Sequence, residues 1–316
     1  MEIKTKIFKV LRVWLGILLL FLSFQVGAGL LLDKNIKAES SPAEPKVLGV
    51  NTSIRGGEPE EKPALVKISE PDVGDVTAQS FLVFDLGNGE TLFARNPSEK
   101  LNIASLTKLM TGLVAYNLLD LNKNFIVSGQ DTLNVAPSLG LLPGDEVKAL
   151  DVFNAMLIGS TNDAALALAD FTTRGTDEDF VALMNSQARV LGMQNSHFSN
   201  PMGFDSQYNY STAEDLKILM GVTEKLSVFT DLGRRASYAF FGTQKKYSVQ
   251  ATNKLLAGHP DIQAIKTGST PAAGETMATK IKAGQNDIII IVLKSKDREG
   301  DTLKLKTAFE SSFELK

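Results

Sequence analysis

Strand-type sequence stands at both ends of the folded part of this chain, and helix-type sequence fills the space between. At the first end, "SFLVFDLGNGETLFARN" (80–96) alternates and turns at Gly87-Asn88-Gly89, the pattern of a β-hairpin. At the other end, "ETMATKIKAGQNDIIIIVLKSK" (275–296) is a second hairpin around Ala283-Gly284-Gln285-Asn286, and "IQAIKTGST" (262–270) supplies a strand just before it. In the middle, Leu106, Leu109, Met110, Leu113 and Val114 follow the i, i+3, i+4, i+7 rule, and Phe180, Leu183, Met184 and Leu191 mark another helix. Ser211 with Glu214 three residues on predicts a capping-box helix start, and a last helix is expected over 301–313. The predicted fold is therefore α/β (α+β). Strands from both ends share one antiparallel sheet flanked by helices, and a mostly helical subdomain is inserted between them.

Ahead of this part the chain changes character. Lys4, Lys6, Lys9 and Arg12 form a basic segment (1–12), followed by an apolar stretch from Val13 to Leu32. Twenty residues at helical rise span about 30 Å, one bilayer core. That length fits an uncleaved transmembrane anchor with the basic flank inside and the rest exported; a cleaved signal with a site after Ala38 is the alternative. Residues 33–77 are rich in Pro, Glu, Ser and Gly and predict a disordered linker, leaving 78–316 as the folded domain. As a flexible coil such a linker reaches on the order of 40 Å, and about 140 Å when stretched. Lysine plus arginine nearly balance aspartate plus glutamate, for a net charge of −3, so nothing points to nucleic acid. The absence of cysteine excludes disulfides, thiolate metal sites and a cysteine nucleophile.

Three short motifs carry chemistry. Ser105-Leu106-Thr107-Lys108 puts a hydroxyl and an amine on neighbouring points of one helix face, near a helix N-terminus whose free N–H groups favour developing negative charge. A lysine acts as a base only when burial or a second cation lowers its pKa. Ser160-Thr161-Asn162 follows Gly159, which ends an apolar helix; Asn162 or Asp163 can cap the next. Ser160 could shuttle a proton there, and Asn162 could bind an amide. Lys266-Thr267-Gly268-Ser269 lies on a predicted strand, where a glycine permits close backbone approach and the edge can dock an extended peptide. Lys266 and Thr267 suit a terminal carboxylate, and Lys266 could be the cation that depresses Lys108. Singly, these are a helix start with a snorkelling lysine, an inter-helix turn and a strand end. In this order within one domain they match the trio of the β-lactamases and penicillin-binding proteins.

The chain from about Gln79 onward resembles the serine D-Ala-D-Ala carboxypeptidases, the low-molecular-mass penicillin-binding proteins of peptidase family S11. "FDLGNGETLFARNPSEKLNIASLTKLMT" is similar to that family's opening hairpin and nucleophile helix. "LLPGDEVKALDVFNAMLIGSTNDAALALAD", "HFSNPMGFDSQYNYSTAEDL" and "ATNKLL" ahead of "IKTGSTPAAG" resemble later stretches. Thr161 departs from the family's usual glycine, and Ser269 stands where members vary. The sequence stops 48 residues after Gly268, from which the extra β-rich domain and C-terminal anchor of some members are not expected.

The resemblance implies a β-lactamase/DD-peptidase-like fold and a catalytic set of Ser105, Lys108, Ser160 and Asn162. Substrate would be held by Lys266, Thr267, Gly268 and Ser269. It implies Ser105 as nucleophile, neutral Lys108 as general base and an oxyanion held by the backbone N–H groups of Ser105 and Ser269. The implied substrate is a peptidoglycan stem peptide ending in D-Ala-D-Ala, with β-lactams acylating the same serine and no metal or organic cofactor required. The implied location is the extracytoplasmic side of a bacterial cell membrane. A D,D-endopeptidase shares all three motifs. A β-lactamase is disfavoured, because none of Glu178, Glu214 and Glu224 opens its Glu-x-x-Leu-Asn segment. A non-catalytic wall-binding protein would have no need of the Ser105–Lys108 pair. His197 and His259 lie in loop-like sequence, and a Ser-His-Asp triad would need one of them beside a serine.

Overall fold

The two ends of the domain meet in one sheet. In the computed structural model, which describes residues 65–131 and 136–315, β2 (Ser80–Asp85) and β3 (Thr91–Arg95) form the first hairpin. β8 (Ile262–Thr270), β9 (Gly274–Ala283) and β10 (Asn286–Ser295) succeed one another near the C-terminus. All five pair antiparallel in the order β3-β2-β10-β9-β8, with β10 joined to β2 from Ile288↔Asp85 to Leu293↔Ser80.

The run Ile288–Leu293 explains why β10 is central. Successive strand side chains point to opposite faces. Ile288, Ile290 and Val292 enter one apolar cluster with Leu305 and Phe309; Ile289, Ile291 and Leu293 enter a second cluster with the central helices. A strand covered on both faces gains from apolar residues at every position, each fully buried side chain contributing roughly 1.5–3 kcal/mol. The cover on the first face is α7 (Arg298–Ser312). It begins three residues before the expected start because the Asp297 carboxylate accepts from Gly300 N at 2.9 Å and caps it. Phe313 leaves the helix and starts β11 (Phe313–Leu315).

The other face carries the inserted helices: α1 (Thr107–Leu118), α2 (Ala149–Gly159), α3 (Asn162–Thr173), α4 (Phe180–Leu191), α5 (Ala213–Thr223) and the short α6 (Ser227–Thr230). α1 is buried from Thr107 to Ala115, so it runs through the core rather than over it. Two small hairpins decorate this layer, β4 (Asn124–Ile126) with β5 (Glu146–Lys148), and β6 (Ser237–Phe241) with β7 (Lys246–Gln250).

Two expectations shift. α5 is capped by Thr212, whose hydroxyl accepts from Asp215 N at 3.1 Å; Ser211 instead meets Ser196, and Glu214 accepts from Ser98. The predicted linker ends early: β1 (Leu65–Lys67) pairs with β11, Val76 and Ala78 are buried, and Asp301 accepts from Thr77 N. The folded unit thus includes residues 65–77. The basic segment 1–12, the apolar span 13–32 and the linker up to residue 64 lie outside the described residues. Among the described residues no helix is long and apolar enough to cross a membrane.

Candidate active site

The Ser-x-x-Lys motif sits where the chain enters α1. Ala104–Leu106 make one 3₁₀ turn, and Ala104 takes a left-handed conformation, φ +47°. A non-glycine residue holds that conformation only when its surroundings impose it. Gly203, at φ +90°, imposes it: a Cβ there would lie 2.0 Å from the Ala104 carbonyl oxygen, so only glycine lets the 200–206 segment close on the turn. Asn200 fixes that segment by accepting from the N–H groups of Met202, Gly203 and Phe204.

Lys108 is fully buried, and its Nζ has three oxygen neighbours: Ser105 Oγ at 2.9 Å, Asn162 Oδ1 at 2.9 Å and the Met202 carbonyl at 2.6 Å. The last two can only accept. The Asn162 orientation is fixed by its Nδ2, which donates to Ala136 O at 3.1 Å. A neutral amine therefore commits its two N–H groups to the carbonyls and turns its lone pair to the Ser105 hydroxyl. Burial pushes the Lys108 pKa down to about 7, against the Asp163 carboxylate, which pulls it up. The expected role of Lys266 in this depression is not what the structure gives: desolvation is the cause, and it is Lys266 that feels its neighbours. Buried completely, Lys266 is lowered well below the ordinary lysine range by desolvation, then by Lys108 and by Arg298.

Ser160 occupies the C-cap of α2 in a left-handed conformation, φ 58°, and is buried. Neither expected residue caps α3. Thr161 stands at the N-cap without a side-chain bond; Asn162 is turned to Lys108, and Asp163 lies inside the helix, its Oδ1 accepting from Ala164 N at 3.0 Å. Asp163, also buried, accepts from the N–H groups of Leu139, Gly140 and Leu141 and from Ser138 Oγ, and so holds the 138–141 segment beside the motif.

The third motif arrives on β8, the edge strand of the sheet. Ala264 pairs with Thr279 and Lys266 with Ala278, so Ile265 is an extra residue, a β-bulge that re-aims Lys266 and the residues after it. Lys266 Nζ donates to Thr267 O at 2.8 Å, and Thr267 Oγ1 meets Thr252 Oγ1 at 2.5 Å. Gly268 is where the strand and the Ser105 turn touch: a Cβ there would lie 2.7 Å from Ser105 N and 2.9 Å from Ala104 Cβ. Ser269 is the next residue along the edge. The geometry thus brings Ser105, Lys108 and Asn162 into one hydrogen-bonded cluster and lays Gly268 against it.

Four contributors escape the sequence reading. The Met202 carbonyl is a backbone group without a residue signature. Gly203 closes the Asn-Pro-x-Gly stretch of "HFSNPMGFDSQYNYSTAEDL" that resembles the family, but nothing in the sequence ties it to the Ser105 turn. Asp163 reads as a cap. Arg298, whose Nη1 donates to Gly268 O at 2.9 Å, comes from the start of α7, 30 residues downstream.

A family model described as D-alanyl-D-alanine carboxypeptidase, peptidase S11, matches residues 65–297. The chain is 31% identical over 246 residues to the D-alanyl-D-alanine carboxypeptidase DacF of Bacillus subtilis, covering 75% of itself and 63% of DacF, so it spans less than two thirds of that relative. It is 30% identical over 230 residues to DacB2 of Mycobacterium tuberculosis, named likewise, covering 72% and 78%. The Streptomyces K15 DD-transpeptidase superposes with a TM-score of 0.70 at 26% identity, over 77% of this chain and all of that one. With Asn162 bonded to Lys108, Gly268 laid against Ser105 and the family model matching from the first described strand to the N-cap of α7, the chain belongs to the S11 D-alanyl-D-alanine carboxypeptidase family.

Proposed function

We propose that the protein is a serine D-Ala-D-Ala carboxypeptidase that trims the terminal D-alanine from peptidoglycan stem peptides. The observation that carries this reading is the coordination of Lys108 Nζ, with two carbonyl acceptors and one hydroxyl, in a site that lowers its pKa to about 7. Ser105 Oγ attacks the carbonyl between the two D-alanines while Lys108 takes its proton. The oxyanion faces the N–H groups of Ser105 and Ser269, and the helix start adds a favourable field. Collapse of the tetrahedral adduct breaks the C–N bond, and the departing amine receives the proton through Ser160. Water then attacks the acyl ester with Lys108 again as base, releasing the shortened peptide and restoring Ser105. Lys266, Thr267 and Arg298 hold the terminal carboxylate, and Asn162 the stem amide. A β-lactam enters the same path and stops at the ester. The apolar span 13–32 tethers the domain to the cell membrane, with catalysis on the outer side.

Fluorescent penicillin is expected to label the wild-type chain covalently and the Ser105→Ala variant not at all. A folded wild-type protein that takes up no label would refute the acyl-enzyme. Free D-alanine from a pentapeptide, measured beside cleavage of crosslinked dimers, separates carboxypeptidase from endopeptidase.

A further inference from the structure

Beside the third motif lies a cavity of about 30 Å³. Its floor is apolar, from Leu157, Phe229 and Leu232, and its polar lining includes Lys266 and Thr267 of β8 with Thr252 and Asn253. The position is informative once the proposed reaction is accepted, and the inference rests on that reading. An oxyanion at Ser269 and a carboxylate at Lys266 and Thr267 make the bound peptide run antiparallel to β8, its C-terminus pointing toward Ala264. The edge is taken up there: Ala264 N donates to Gly233 O at 2.7 Å. A bound chain has no strand edge to pair with beyond its carboxylate. What is left open at that end is the cavity.

Its polar groups select the occupant. Glu224 is engaged with Lys280 at 2.7 Å, and Arg235 Nε donates to Asp231 O at 3.2 Å. Asn253 is 5% exposed; its Oδ1 accepts from Leu255 N at 2.9 Å, capping the turn Lys254–Ala257, but its Nδ2 has no partner. A buried donor left unmade carries a desolvation penalty, which a ligand's acceptor recovers. The volume holds one or two waters or a side chain of a few heavy atoms.

We propose that this cavity is the pocket for the side chain of the leaving residue. It takes a terminal D-amino acid whose short side chain carries a hydrogen-bond acceptor, as D-serine does, and excludes longer apolar ones. The test measures kcat/KM of the full chain on pentapeptides ending in D-Ala-D-Ala, D-Ala-D-Ser and D-Ala-D-Leu. D-Serine is expected to leave within about threefold of D-alanine, and D-leucine at least ~10-fold more slowly. Asn253→Ser keeps a capping oxygen for Leu255 N but withdraws the amide donor from the cavity; it should lower the D-Ser to D-Ala ratio by about fivefold or more. Leu232→Ala deepens the floor and should raise the D-Leu to D-Ala ratio about 10-fold. Ratios cancel any general loss of activity. A ratio unmoved by its variant overturns the assignment. Failure of benzylpenicillin to acylate the wild-type chain overturns the reaction underneath it, a separate and earlier result.

Discussion

The rate at which a β-lactam acylates Ser105 should rise with pH and level off just above neutrality. The perturbation is protonation of Lys108. Its Nζ has no exposed surface, and its two N–H groups are held by Asn162 Oδ1 and the Met202 carbonyl, so only the neutral amine offers a lone pair to Ser105. Burial lowers its pKa from 10.5 to about 7. That depression corresponds to on the order of 5 kcal/mol withdrawn from the charged form. The neutral fraction is then roughly 1% at pH 5, 10% at pH 6, half at pH 7 and 90% at pH 8. The second-order acylation constant, which reports ionisations of the free enzyme, should therefore climb about 10-fold per unit from pH 5 to 6 and flatten beyond pH 8. Stopped-flow acylation by a chromogenic cephalosporin measures it directly. Asp163 sharpens the test, because its carboxylate is the influence that raises the Lys108 pKa. Asp163→Asn should move the inflection to lower pH. A profile flat between pH 5 and 9, or an inflection near that of a solvated lysine, would refute the assignment of Lys108 as the base.

The same buried amine makes stability depend on pH. The folded pKa of Lys108 lies below its unfolded value, so between about pH 7 and 10 the unfolded chain binds the extra proton and stability rises with pH. Between pH 7 and 9, urea denaturation should show the wild type gaining about 2 kcal/mol relative to Lys108→Met. An unchanged difference would mean that the lysine is not neutral in the folded state. Gly203→Ala should cost roughly 2–4 kcal/mol by thermal denaturation and slow acylation as well. Its Cβ cannot fit 2.0 Å from the Ala104 oxygen without displacing either the Ser105 turn or the Met202 carbonyl. A variant with wild-type Tm and acylation rate would show that the close approach is dispensable.

The strand-type ends and the helical middle were legible because each arises from local periodicity. The run Ile288–Leu293 lies in β10, an arm of the second hairpin as expected, and β8 spans the nine residues 262–270 expected of it. The three motifs were legible for a different reason: Ser105, Lys108, Asn162 and Lys266 carry functional groups that their spacing and order bring to attention. Boundaries set by side-chain bonds were less so. Thr212 and Ser211 are both competent caps, and only the packing of Ser211 against Ser196 decides between them. The strand at Leu65 depends on pairing with Leu315, at the far end of the chain.

Sequence by itself determined which groups could react, since hydroxyl, amine and carboxamide are fixed by residue identity, and which segments would be strand or helix. Tertiary structure alone decided that they meet. The pKa of Lys108 is a property of its burial, and burial is created by segments that meet α1 from 54 and 94 residues away, at Asn162 and Met202. The direction of Lys266 depends on a one-residue bulge in the β8–β9 register, and the approach of β8 to Ser105 depends on Gly268 having no Cβ. Desolvation, register and close contact are sums over neighbours distant in the chain, and no local pattern encodes them.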